Sequence, residues 1–291
     1  ALDLLDRLKT RLTHALKADI LMGVARFPFH EFSRTQTFEN ALKATDHAAF
    51  FGPDALISFD SVSLNISGDR FYQLNERDRA MAEYKKGLAL RPMDVNLINS
   101  LGVCHAMSGN LEEARGTFEK AAKVNPEEVM VVYNIGLLHR IDGNNDKAVA
   151  YLRKAHGIND QIYEVELLLG YLLTIGKQPD QAMPHLETAL RLEPGSGAAL
   201  RMTGEIYLEK EDFSAAAQAF NRAIKINPSD AVSLSGYAAC LERQDKNMTI
   251  ALSLARNAAA LEPENALFQQ RLALIQEKID LIQAETQVKT A

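Results

Sequence analysis

The 291 residues contain no tryptophan, only 2 cysteines, 9 prolines and 16 glycines. Two thiols in a chain of this length are not a disulfide framework, so the fold must rest on apolar burial, and a reducing cytoplasm is the expected compartment. Long apolar runs are missing as well. The longest, Leu167 to Gly176, is well short of the roughly 20 residues a bilayer-spanning helix needs. The opening Ala1-Leu2-Asp3-Leu4-Leu5-Asp6-Arg7 puts acids where a secretory leader carries basic and then apolar residues, so no membrane partner is expected. The chain begins at Ala1 rather than Met, as a fragment or a processed product does. Positive charge is in deficit, with 32 Lys and Arg against 38 Asp and Glu and a net charge of -6. That balance lacks the electrostatic footprint of a general nucleic-acid binder. The remaining composition, 47% hydrophobic and 24% charged, excludes disorder and collagen and leaves a soluble globular chain.

What the sequence does have is a period. Gly68, Gly102, Gly136, Gly170 and Gly204 are spaced by 34, and Ala80, Ala114, Ala148, Ala182 and Ala216 repeat in the same phase. Tyr84, Phe118, Leu152, Leu186 and Phe220 follow each alanine by four residues, and Pro92, Pro126, Pro194 and Pro228 close four of the units, with Asp160 replacing proline in the third. Within Val95 to Pro126 the apolar residues Leu97, Ile98, Leu101, Val103 and Cys104 fall at helical spacing. Gly109-Asn110 supplies a turn, and Ala114, Phe118 and Ala121 continue a second stripe. Each unit therefore reads as two amphipathic helices. Gly102 and Ala114 are small where the helices of a hairpin approach closely, and the residue at the Phe118 position is expected to fill the space between neighbouring units.

Leu101-Gly102-x-x-His105, Ala114-x-x-x-Phe118, Ala121 and Pro126 resemble the tetratricopeptide repeat, whose fingerprint is Leu-Gly-x-x-Tyr, Ala-x-x-x-Phe and Pro in 34 residues. The resemblance implies a mainly α fold, a right-handed solenoid of helix-turn-helix repeats. It places repeats at 61–94, 95–128, 129–162, 163–196, 197–230 and 231–265. The sixth has Ala238 in place of glycine, and its later landmarks Ala251, Ala258 and Pro263 are shifted by one. Residues 266–283, with Leu267, Leu272, Ile275, Ile279 and Ile282, read as a capping helix within a C-terminal segment 266–291.

Residues 1–60 lie outside the period. Leu2 to Leu16 and Thr37 to Phe51 read as helices, Ile20 to Phe27 and Ala55 to Phe59 as strands, which makes a small α/β segment. Met22-Gly23-Val24-Ala25-Arg26-Phe27-Pro28 and Ala44-Thr45-Asp46-His47-Ala48-Ala49-Phe50-Phe51 resemble the C-terminal half of a diguanylate-cyclase-like (GGDEF) domain. The Gly-Gly-Asp/Glu-Glu-Phe loop of that family is absent and Pro53 stands where it carries a lysine, so no cyclase activity is implied. Two readings stand side by side: a partial, degenerate GGDEF-like domain, or an unrelated α/β cap on the first repeat.

No phosphate loop, nucleophile elbow or His-Glu-x-x-His zinc helix occurs, so no enzyme and no cofactor is expected. The 7 histidines show no metal-ligand spacing, and none is expected to close a site. His105 and His139, at the family's tyrosine position, read as packing residues. Cys104 and Cys240 read as buried small hydrophobes. The glycines Gly109, Gly143 and Gly176 are placed at turns.

The tetratricopeptide resemblance implies a concave groove lined by the first helix of each repeat. Carried onto this chain, the groove takes Asn96 and Asn99, then Met130, Tyr133, Asn134, Leu137 and Arg140, then Leu167, Leu168 and Tyr171, and then Arg201 and Met202. The apolar and aromatic stretch suits a partner's apolar side chains, and the amides of Asn99 and Asn134 suit a peptide backbone. The family's clamp for a C-terminal carboxylate needs cations, whereas the second positions here are Val62, Asn96, Met130 and Glu164. The expected partner is another protein, presenting an amphipathic helix or a largely apolar extended segment. The other functional reading is a regulatory or dimerising end of a nucleotide-signalling protein with a catalytically inactive GGDEF-like domain. Composition fixes neither the partner's identity nor the oligomeric state.

Overall fold

The computed structural model describes the backbone of residues 2–290 and the side chains of residues 2–284. It divides into two compact units, residues 1–151 and 152–291.

The first unit opens with helix α1 (Leu2–Leu16), strand β1 (Met22–Val24), helix α2 (Arg34–Ala48) and strand β2 (Leu56–Ser58). The two strands are parallel, pairing Met22 with Leu56, Gly23 with Ile57 and Val24 with Ser58. α2 is the crossover that a parallel pair requires. Both strands are shorter than their hydrophobic runs, since only residues that reach the partner strand join the ladder. α2 begins three residues before the expected Thr37 because Ser33 and Gln36 close a reciprocal cap, each side chain accepting the other's backbone N–H at 3.2 and 2.8 Å. Its expected last turn, Ala49–Phe51, is a separate 3-10 turn. Ala44, Phe59 and Leu64 form the core of this part of the unit, with Phe29 and Phe32 packed against it.

Helical hairpins follow: α3 (Ser61–Gln73) with α4 (Arg77–Leu90), α5 (Val95–Met107) with α6 (Leu111–Val124), and α7 (Val129–Ile141) with α8 (Asn145–Ile158), whose second half belongs to the second unit. In the second unit α9 (Tyr163–Ile175) pairs with α10 (Pro179–Leu192), α11 (Gly197–Glu209) with α12 (Phe213–Ile226), and α13 (Ala231–Arg243) with α14 (Met248–Leu261). The last helix is α15 (Ala266–Thr290). First helices begin at 61, 95, 129, 163, 197 and 231, so the 34-residue period is the period of the hairpins.

Local chemistry repeats with them. Asp60, Asp94, Ser196 and Asp230 cap α3, α5, α11 and α13, their side chains accepting from the N–H of Ser63, Leu97, Ala199 and Ser233. The turn inside each hairpin has one residue in the left-handed region at a fixed register: Asn75, Gly109, Gly143, Lys177, Glu211 and Asp245. Gly176, expected to make one of these turns, keeps φ at -76°, and the left-handed conformation falls on Lys177. In the last hairpin Asn247 is left-handed too, which accommodates the extra residue.

The glycine register is a packing device. A Cβ on Gly102 would stand 2.5 Å from the Phe118 ring, and one on Gly204 would stand 2.8 Å from the Phe220 ring. The aromatic side chain therefore lies across the glycine of its own hairpin, in addition to the space between units that it is expected to fill. It reaches the next hairpin as well: Phe118 clusters with Leu138, and Phe220 lies against Gly236. α15 covers α13 and α14 through Phe268, Leu272, Ile275 and Ile279. Leu267 and Ile282, expected on that stripe, are 50% and 48% exposed, because the buried series starts at Phe268 and steps by four, three and four residues.

Candidate functional site

In the first unit, α5 and α7 lie side by side and bring the expected groove residues together. Asn96 and Arg140 are exposed, and Asn99, Met130, Tyr133 and Leu137 are half-buried. Asn134 is buried, and its amide nitrogen donates to the Asn99 Oδ1 at 2.9 Å. The two amides thus hold each other across adjacent first helices. This differs from the expectation that both face a partner, because Asn134 turns toward the preceding first helix.

In the second unit the same register carries Leu168 on α9 and Met202 on α11. Met202 is 4% exposed and so belongs to the core, against the expectation that it lines the groove. Leu167, Leu168 and Tyr171 are half-buried, offering edges of apolar side chains rather than an open patch. Arg201 is already engaged, its Nε lying 3.8 Å from the Asp230 carboxylate. Glu205, one turn on, is pushed above the usual carboxylate range by burial, with Asp230 and Glu209 adding to the effect and Arg201 and Arg271 opposing it.

The packing histidines and the cysteines fall where expected. His139 stacks on Tyr151 with ring centroids 5.2 Å apart. Cys104 and Cys240 are buried free thiols, pushed up to about 11 by burial. Neither is poised as a nucleophile.

One constellation was not legible from ligand spacing. On the second unit, His156 near the end of α8 and His185 on α10 both meet Glu166 on α9, although they are separated from it by 10 and 19 residues. The His156 Nδ1 lies 2.6 Å from one carboxylate oxygen, and the His185 Nδ1 lies 2.7 Å from the other. Glu166 is 0% exposed, and the two imidazoles are edge to face at 4.9 Å. Burial pushes the Glu166 carboxyl up, and the hydrogen bonds from His185 and His156 outweigh it, holding the group below its usual range. The sequence shows no metal-ligand spacing among its histidines, whereas the hairpin fold brings these three separated side chains together. The three side chains are the group of potential ligands that the fold brings together among the described residues.

The α/β part of the first unit has a cleft of about 780 Å³ lined by Leu2, Leu5, Val24, Phe29 and Phe59, with Asp3 and Arg26 at its polar side. Arg26 sits over the Phe29 ring at 5.9 Å. No helix among the described residues is long and apolar enough to cross a membrane.

The tetratricopeptide repeat profile matches residues 67–123, 108–161 and 171–231, together more than half of the chain. No curated protein matches it. Among solved structures, PilF of Pseudomonas aeruginosa is similar over 73% of this chain and 96% of its own, with a TM-score of 0.66 and 18% identity. YrrB, a TPR protein with an unusual peptide-binding site, is similar over 64% of this chain and 96% of its own, with a TM-score of 0.57 and 18% identity. A chain of the APC/C hetero-tetramer Cut9–Hcn1 is similar over 74% of this chain, which spans only 43% of it, with a TM-score of 0.59 and 18% identity. At these identities the likeness is one of fold.

Proposed function

Since the chain belongs to the tetratricopeptide repeat family, whose members are in general scaffolds and not catalysts, we propose that it holds another protein against the first-helix face of its repeats. The observation that carries this reading is the Asn99–Asn134 pair, flanked on α5 and α7 by Asn96, Tyr133, Leu137 and Arg140. The Asn96 and Asn99 amides, the second held in place by Asn134, stand beside half-buried apolar edges and suit an extended peptide or one face of an amphipathic helix. Asn134 spends a donor on Asn99, and the Asn99 amide nitrogen is left to donate to a partner's carbonyl. The edges of Met130, Tyr133 and Leu137 gain burial when an apolar side chain covers them. YrrB, similar in fold, is a TPR protein described by a peptide-binding site, which is in keeping with a peptide as the bound segment. Leu167, Leu168 and Tyr171 offer a second such face on the second unit. With Val62, Asn96, Met130 and Glu164 at the second positions, the groove selects apolar segments over a bare C-terminal carboxylate.

The test is affinity capture from a lysate of the source cell with three baits: the chain itself, Tyr133→Ala/Leu137→Ala, and Leu168→Ala/Tyr171→Ala, each checked for helicity by circular dichroism. A protein retained by the parent, and lost or at least about tenfold depleted on the first variant, supports the α5–α7 face as the site. Loss on the second variant alone moves the site to the second unit. Equal retention by all three baits excludes both faces.

A further inference from the structure

The helical register makes the His156–Glu166–His185 cluster conspicuous. Glu166 occupies the fourth position of its repeat, and at that position the other repeats bury Leu64, Ile98, Val132, Leu200 and Leu234. His156 occupies a second-helix position where the other repeats carry Leu88, Ala122, Leu190 and Ile224. Two apolar slots have thus been exchanged for a carboxylate and an imidazole that meet each other, with a second imidazole completing the group. Packing alone does not call for this. Burying a charge is costly unless it is well compensated, and aliphatic side chains would fill the same space at less cost. Among the described residues Glu166 has no lysine or arginine partner, and its ion-pair partners are the two histidines.

We propose that His156, Glu166 and His185 are a binding site for one divalent transition-metal ion of the zinc class. The potential ligand atoms all lie within 4.8 Å of one another. A zinc ion needs its nitrogen and oxygen ligands at about 2.0–2.2 Å, so small side-chain rotations that widen the present hydrogen bonds admit it between them. Both imidazoles now present Nδ1 to the carboxylate. On metal binding those nitrogens become ligands and the ring protons sit on Nε2. Two nitrogens and one carboxylate favour zinc, cobalt, nickel or copper over magnesium and calcium, which prefer all-oxygen shells. The fourth position falls to water on the side of His156, whose side chain is 39% exposed against 18% for His185 and 0% for Glu166. The ion would give the buried carboxylate a fixed positive partner, and it would fasten the end of α8 to α9 and α10.

The experiment uses the full chain without a histidine tag, stripped by chelator dialysis and titrated with Co2+ by visible absorption and with Zn2+ by calorimetry. The expected result is saturation at one equivalent, a ligand-field band of four-coordinate cobalt that Zn2+ displaces, and a rise in melting temperature with free metal. Glu166→Leu/His156→Leu, which installs the residues that sister repeats carry at Leu200 and Leu190, should fold and lose affinity by about 100-fold or more. His156→Ala, at the most exposed ligand, tests the same loss with the buried carboxylate in place. The proposal is overturned if the parent chain takes up no saturable equivalent. It is equally overturned if both variants bind as the parent does, which would put the ion on surface imidazoles such as His14 or His30.

Discussion

A glutamate enters a helical repeat most cheaply where water reaches it, and Glu205 shows the cost of the alternative. Its carboxyl is raised above the ordinary 4.5, with burial the largest cause. A raised acid binds more protons in the folded state than in the unfolded one. Its contribution to stability is therefore full below the unfolded value and is lost as pH rises through the folded one. At pH 7 the folded chain carries the penalty. Glu205→Gln removes the charge and keeps the shape, so its thermal midpoint should exceed the parent's at pH 7, and the two should converge as the pH falls below about 4.5. Paired melts by circular dichroism across that interval read the effect. A variant that is less stable at pH 7 would mean that attraction to Arg201 and Arg271 outweighs burial.

At the scale of the element, the same turn is solved with different residues, and the difference is open to measurement. Gly109 and Gly143 adopt φ of 80° and 76° without strain, whereas Glu211 is held at 59° at the equivalent place. A side chain with a Cβ pays about 1–2 kcal/mol in that region, part of which glycine gives back through the freedom it adds to the unfolded chain. Glu211→Gly should stabilise by roughly 0.5–1 kcal/mol, and Gly109→Ala should destabilise by about the same amount, both read as shifts in the urea midpoint at constant slope. This register also sets the limit of what the sequence disclosed. Helix starts were legible because the apolar stripe, the caps and the small residues all repeat in one phase. The left-handed residue was not, since glycine marks it in only two of the hairpins; Gly176 lies in its turn as expected, but the positive φ falls on Lys177. The groove list erred at Asn134 and Met202 for a related reason: periodicity says which side of a helix a residue is on, but not whether the neighbouring first helix already covers it. The His–Glu–His cluster was hidden from ligand spacing, yet a comparison across repeats exposes it, because Glu166 breaks a column of aliphatic residues.

Over the whole molecule, burial is unevenly distributed. The repeats place fully buried residues in every hairpin, while the segment before them leaves Leu4, Leu16, Phe38, Phe50 and Phe51 each more than 60% exposed. α1 is the extreme, with no buried residue. Its tether is Asp54: the backbone carbonyl accepts from the Lys9 ammonium, and the carboxylate accepts from the Thr13 hydroxyl at 2.9 Å and from the Ile20 N–H at 3.0 Å. Those bonds, the Ile20 N–H foremost, hold the Asp54 carboxyl below its ordinary value, so the tether is charged at neutral pH. A helix held by a few part-buried polar contacts opens locally at a much lower free energy than the helices of a packed core, which exchange only through larger unfolding events. Hydrogen exchange followed by mass spectrometry should show the amides of α1 exchanging well before those of α5 in the same unit. Asp54→Ala should accelerate exchange across α1 and residues 18–24 and leave α5 and α6 at the parent rate. If α1 were instead protected like α5, it would be held by burial that its exposed leucines do not reveal. If Asp54→Ala sped exchange in the repeats as well, the segment before them would be part of the same cooperative unit as α5 and α6.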